Sequence, residues 1–258
     1  TLFPYTTLFR SLGVLRRLIM TTGGNTLAYS LQSLSRLLEV DMGWEIFESA
    51  GAGELVERVV ELIVTHPLVN ILRGAMSILV AIVSHPQTTR GAIRTPGAFG
   101  FRTLKPAVAV YPQFFEMVVS QLNSADHALC ANALMLLNAL MRDAITNDGG
   151  KDGTSKSSGT GEEWPKFIKR LQDLGVVKGA YRLMQSSALQ DLAHPLLEFQ
   201  ALTKLLLRKW RDMRVDLERP DHRRALKGIH LASAPEKREH VTQMGRVEEV
   251  SEIGRAHV

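Results

Sequence analysis

Cysteine is almost missing from this sequence: Cys130 stands alone among 258 residues. An internal disulfide is therefore excluded, and so is a thiolate-rich metal centre, which needs several ligands at close spacing. Cys130 lies in an apolar helical stretch and is expected to be a buried packing thiol. A reducing, cytoplasmic compartment is the matching expectation. Aromatic residues make up only 6% of the chain, which disfavours sandwiches and barrels, whose strands prefer aromatic and β-branched side chains. The most apolar run, Ile78–Val83, is far shorter than the ~20 residues of a spanning helix. Excess charge is also small. A net +5 suits an acidic partner but is too weak by itself to argue for nucleic acid.

Catalytic patterns are lacking as well. Gly149-Gly150-Lys151 departs from a phosphate-binding loop, because Ile145 and Asp152 stand where that motif needs Gly and Ser or Thr. No G-x-S-x-G elbow occurs. His66, His85, His127, His194, His222, His230 and His240 are spread one per segment, none paired at i, i+4 with a second ligand. His66 and His194 each precede a proline and are expected at helix starts. The acidic run Glu48, Glu54, Glu57 and Glu61 is read as a solvated helix face. No catalytic, cofactor-binding or metal residue is assigned, no cofactor is expected, and the chain is not expected to be an enzyme.

What the chain does have is leucine at helical spacing, within an apolar content of 45% that suffices for a core. Asn25–Val40 carries Leu27, Leu31, Leu34, Leu37 and Leu38, which predicts a helix with one buried face, Asn25 serving as its N-cap. A short helix is expected over residues 42–47, anchored by Trp44 and Phe47. Glu54–Thr65 supplies Leu55, Val59, Leu62 and Ile63, and His66-Pro67 ends it, with Pro67 in the first turn of the next helix. Leu68–Ser84 is apolar nearly all round and should be a central helix. The pair then returns in Gln113–Leu122 and Ala125–Ile145. Val59-Val60 corresponds to Val118-Val119 and GAMSILVAI (74–82) to NALMLLNAL (132–140), at offsets of 59 and 58. A third copy, Val176–Gln185 with Ala193–Val215, places QALTKLL (200–206) at the same register. Helix pairs that recur along a chain define an all-α armadillo/HEAT-like α-α superhelix, a solenoid.

The domain is drawn over residues 12–234. Inside it, residues 85–110, with Pro86, Pro96 and Pro106, read as a long surface loop. Residues 147–161 (NDGGKDGTSKSSGTG) read as a disordered linker. After Pro220 a short basic helix is expected over Asp221–Leu231, and residues 235–251 as a loosely ordered linker. One surface feature is a candidate partner-binding ridge: Lys204, Arg208 and Arg211 follow i, i+4, i+7, with Lys209 beside them and Arg214, Arg223 and Arg224 nearby. As a ridge it would take an acidic protein, an anionic lipid headgroup or RNA. The competing reading is a solvated face opposite Leu202, Leu205, Leu206 and Trp210, favoured because no base-stacking aromatics are interleaved with the charges.

The two ends are set apart. Codons for Thr7–Ser11, read on the opposite strand and shifted by one base, encode Glu252–Ala256. Residues 1–11 resemble a translated sequencing adapter, so 1–11 and 252–258 are expected to be read-through of library DNA, and the chain between them a piece of a longer protein.

Leu27–Phe47 (LAYSLQSLSRLLEVDMGWEIF), Ile71–Val83, Ala131–Met141 and His194–Met213, in this order, resemble the armadillo-like helical region of ELMO (engulfment and cell motility) proteins, in a fungal-looking version. Asp41 and Trp44 match the family's turn with its Trp, and Pro220 with Asp221–Leu231 its closing break and basic helix. The resemblance implies a non-enzymatic cytoplasmic scaffold that works with a Dock-type guanine nucleotide exchange factor to activate Rac-like GTPases and actin remodelling. It implies protein partners: a small GTPase, and the exchange factor through parts outside this chain. Nucleic acid is not expected, and a membrane only peripherally, through partners. A HEAT-like binder of RNA or anionic lipid through the basic ridge is the alternative.

Overall fold

A helix whose apolar residues recur every three or four positions has to hide one stripe, and it does so against neighbours with the same need. The computed structural model describes residues 3–48, 51–85, 99–146, 163–186, 189–212, 215, 217–218 and 220–233. Among them it contains twelve α-helices and no strand. The chain divides into two units, Thr1–Leu206 and Leu207–Val258, each described by itself.

The first unit opens with α1 (Phe3–Thr21), α2 (Gly24–Glu39) and the single turn α3 (Glu45–Glu48). It continues through α4 (Ala52–Thr65), α5 (Val69–Ser84), α6 (Phe101–Val110) and α7 (Phe114–Ser120). A 3-10 turn, Gln121–Asn123, leads into α8 (His127–Thr146), followed by α9 (Glu163–Asp173) and α10 (Val176–Met184); α11 (Ala193–Arg211) begins in this unit and runs on past Leu206 into the second. The helices α2, α5 and α8 lie side by side, while α1, α4, α6 and α7 pack around them. The fold is thus the all-α armadillo-like solenoid of repeated helix pairs.

The repeat register explains this layering. Val59-Val60 on α4 and Val118-Val119 on α7, matched by sequence, are all buried. The helix α5 buries Ile71, Leu72, Ala75, Ile78, Leu79 and Ile82 against α2, α4 and α8, as its all-round apolar pattern requires. Gly74 sits at the α2–α5 crossing, where a Cβ would stand 2.8 Å from Leu31 Cβ; only glycine lets the two backbones come so close. Side-chain amides bind successive pairs together. Asn132 Nδ2 donates to the Arg73 carbonyl and to Ser77 Oγ, each at 3.1 Å. Asn138, fully buried, donates to the Pro195 carbonyl at 2.8 Å and to Glu198 Oε2 at 3.2 Å. Arg142 adds an ion pair to Glu198.

The helix α8 is 20 residues long and apolar enough in composition to cross a membrane, yet 61% of its most apolar window is buried. Its stripe is spent on α5, α6, α7 and α9, which makes it a core helix. The sparse aromatics gather in two knots. One joins Phe101, Phe114, Phe115 and Phe167, with ring centroids 5.3–6.0 Å apart, and Arg170 lies 5.0 Å over the Phe115 ring. The other, around Trp44, belongs to the site below.

Several expectations change. The loop assigned to residues 85–110 is in part a helix: Phe101–Val110 forms α6 although Pro106 lies inside it. The proline is tolerated because its position is exposed while Leu104, Ala107 and Val108 are buried. Residues 86–98 lie outside the described residues, as do 147–161, 235–251 and 252–258. The helix α1 buries Leu12 and Ile19. Asn25 is not the N-cap of α2; Gly23, in extended conformation, takes that place without a side-chain bond. His66 caps the end of α4, its N–H bonding to the Leu62 carbonyl. Its Nδ1 accepts the Leu68 N–H at 3.2 Å, which ties the α4–α5 turn.

In the second unit, α12 (Pro220–Ser233) covers the basic helix read from sequence and buries none of its residues.

Candidate functional site

Where α2 ends, the chain turns through a Schellman-type cap. Met42 N–H bonds to the Leu37 carbonyl at 2.9 Å and Asp41 N–H to the Leu38 carbonyl at 3.1 Å. The turning residue normally is glycine; here it is Asp41, at φ 58°, a left-handed conformation that Asp tolerates better than most residues. Its use is local. Asp41 Oδ1 accepts the Trp44 indole N–H at 2.8 Å, which fixes the ring one turn later.

That indole is half-buried and sits at the head of a groove between α2, α5 and α8. His85 lies against it with ring centroids 3.9 Å apart, and Phe99 meets it edge-on at 5.5 Å. Phe47 closes the knot at 6.3 Å. The groove has a volume of about 390 Å³ and runs from Asp41, Glu39 and Ser35 on the α2 side, over Ser77, Val80, Ala81 and Ser84 of α5, to Asn132 and Met135 of α8. Asn132 uses its amide nitrogen to hold α5, which leaves its Oδ1 as an acceptor for something else. Met135 is 37% exposed and offers an adaptable thioether. An aromatic plate, a flexible Met and spaced hydroxyl and amide groups form a lining that can hold a backbone and a few side chains of another protein.

The sequence-derived ridge residues are placed as follows. Lys204, Arg208 and Arg211 of α11 are exposed, and Lys209 is partly covered. Arg211 pairs with Asp212 at 3.0 Å. On the opposite face Leu202 and Leu206 are buried, but Leu205 is 44% exposed. The ridge residues are not brought into the groove. Of the groove, Asp41 and Trp44 were named together from sequence only as the turn and Trp of the family resemblance. Ser77, His85 and Asn132 were not linked to them, although Asn132 occupies the repeat register of Gly74. Among the described residues no three His, Cys, Asp or Glu side chains converge on a possible metal position.

Cys130 behaves as its apolar setting demands. The thiol is fully buried and donates to the carbonyls of Gln121 and Ser124 at 3.3 and 3.2 Å. Burial pushes its pKa above the ordinary 9.0, with nearby Asp126 adding to the rise. Because the folded value is raised, the neutral thiol favours the fold fully below pH 9 and loses that contribution as pH climbs through the raised value. Native protein at pH 8 is expected to react with Ellman's reagent roughly a hundredfold more slowly than urea-unfolded protein, or slower still. Equal rates would show that the α8 N-terminus opens freely.

Comparison with known proteins agrees with the helical reading. The family model of the ELMO, armadillo-like helical domain matches residues 11–151, a span that contains every residue of the groove. No curated protein matches the chain. A crystal structure of an engineered protein is similar at a TM-score of 0.43 with 18% identity, covering 78% of this chain and 84% of that one.

Proposed function

Because this chain belongs to the family of the ELMO, armadillo-like helical domain, we propose that it is the interaction module of an ELMO-type scaffold. In this reading it works in the cytoplasm, without catalysis of its own, beside a Dock-type guanine nucleotide exchange factor, and so promotes activation of Rac-like GTPases and actin remodelling. The groove between α2, α5 and α8 receives the protein partner, a small GTPase being the first candidate. The observation that carries the proposal is the Trp44 knot: an indole held by Asp41 and backed by His85 and Phe99, yet left half-open at the end of a mostly apolar groove with a few polar groups. Large rings presented this way dominate binding energy at protein interfaces.

The test is calorimetric titration of the chain with a panel of Rho-family GTPases, each loaded with a non-hydrolysable GTP analogue and with GDP. Trp44→Ala is expected to weaken the productive pair about thirtyfold or more, the hot-spot range. Met135→Ala, which trims the exposed thioether of the far wall, should weaken it less. Unaltered affinity in Trp44→Ala, with the variant's circular dichroism unchanged, removes the groove from the proposal. Equal binding of charge-reversed Lys204→Glu/Arg208→Glu sets the ridge aside.

A further inference from the structure

Among the described residues of the second unit, one helix stands exposed along almost its whole length. None of the 14 residues of α12 is buried. A helix of this length without tertiary cover is marginal in water, so its apolar residues call for a surface from outside. Ala225, Leu226, Ile229 and Ala232 follow three- and four-residue steps along one side, and Ile229 is 65% exposed, Leu226 39%. Arg223 and Lys227, four apart, occupy the other side with Arg224 next to them. Asp221 is the single carboxylate of the helix and sits in its first turn, where the helix dipole favours it. The surrounding sequence has the same sign: residues 207–233 hold eight Lys and Arg against four Asp and Glu.

We propose that α12 lies on an anionic lipid surface, with Ala225, Leu226 and Ile229 dipped into the headgroup–acyl boundary and Arg223, Arg224 and Lys227 over the acidic headgroups. Charge complementarity selects this occupant. A second copy of the chain would bring the same positive helix and repel it. A protein groove would ask for an aromatic or Met anchor at the centre of the stripe, and α12 has none. A lipid interface needs only apolar area, flanking cations and a helix that gains order on arrival. The membrane contact thus belongs to the scaffold chain itself and adds to whatever its partners supply.

Co-sedimentation of the full chain with vesicles tests this. Partition onto phosphatidylcholine vesicles containing about 30% phosphatidylserine is expected to exceed that onto pure phosphatidylcholine at least tenfold, and to fall steeply from about 50 to about 300 mM salt. Neutralising Arg223→Gln, Arg224→Gln and Lys227→Gln together should lower the partition coefficient roughly a hundredfold, and Ile229→Asp should lower it while leaving every charge of the basic face in place. None of these residues is buried, and although Arg223 also donates to the Leu217 carbonyl at 3.1 and 3.2 Å, Ile229→Asp leaves those bonds in place, so a melting profile of that variant matching the parent shows that its loss of binding is not unfolding. Three outcomes would overturn the proposal: no preference for phosphatidylserine, full binding by Ile229→Asp, or capture of single-stranded RNA or an acidic peptide in place of vesicles. Loss through Lys204→Glu/Arg208→Glu with α12 variants unaffected would overturn it too, moving the contact to α11.

Discussion

Gly74→Val lowers the stability of the protein by about 3 kcal/mol, read as a fall in the urea midpoint with an unchanged slope. The reason is the α2–α5 crossing. A Cβ at this position would come within 2.8 Å of Leu31 Cβ and within 3.5 and 3.6 Å of the Leu31 carbonyl carbon and the Gln32 nitrogen. The two backbone distances are ordinary contact; the 2.8 Å approach to Leu31 Cβ is not, and a Cβ is fixed by its own backbone, so no rotamer change relieves it and the helices must separate. Leu31 is fully buried, and separation opens the core. Alanine at the same site sets two effects against each other. It gains up to about 1 kcal/mol of helix propensity and loses about 1–3 kcal/mol to overpacking, so a net loss is expected. Gly53→Ala, with nothing within 4 Å of the new atom, should instead be neutral or stabilising. If Gly74→Ala matched Gly53→Ala, the tight crossing would be wrong.

Phe114→Ala produces the other large effect, a loss of about 3–5 kcal/mol. Phe114 is among the largest fully buried side chains and meets Phe115 at 5.3 Å in an edge-on arrangement. Through Phe115 it supports Phe167, which follows the segment 147–161 in sequence and comes from α9. The substitution leaves a cavity and weakens the attachment of α9, so thermal unfolding is expected to broaden and begin earlier. Phe114→Leu, which keeps most of the volume, should cost less than half as much. A loss below about 1 kcal/mol for the alanine variant would mean that the knot collapses without penalty.

The helices that were legible in the sequence are those with one uninterrupted apolar stripe. For α2, α4, α5, α8 and α11 the Leu and Val steps alone give the element and its buried face. The helices α6 and α9 were not legible, for different reasons. In α6 the signal of Pro106 and the neighbouring glycines outweighed Leu104, Ala107 and Val108, and only the outward placement of the proline reconciles the two. In α9 the apolar positions Trp164, Ile168 and Leu171 are few and adjoin the glycine-rich segment, so their period was too short to stand out. The groove was not visible. Asp41 and Trp44 stood out as a pair only through the family resemblance, and Ser77, His85 and Asn132 come together only because consecutive repeats stack. A spacing of a whole repeat carries no local pattern, and nothing in the composition marks the wall of a cleft. The ridge on α11 illustrates the converse: its charges obey helical spacing perfectly well, yet one of them pairs with Asp212.

The two asparagine amides between neighbouring rods have a mechanical corollary. The amide of Asn132 ties α8 to α5 and that of Asn138 ties α8 to α11, so sliding of either neighbour along α8 would strip an amide of its carbonyl. The axial registration of three rods is thus written into two side chains of one helix.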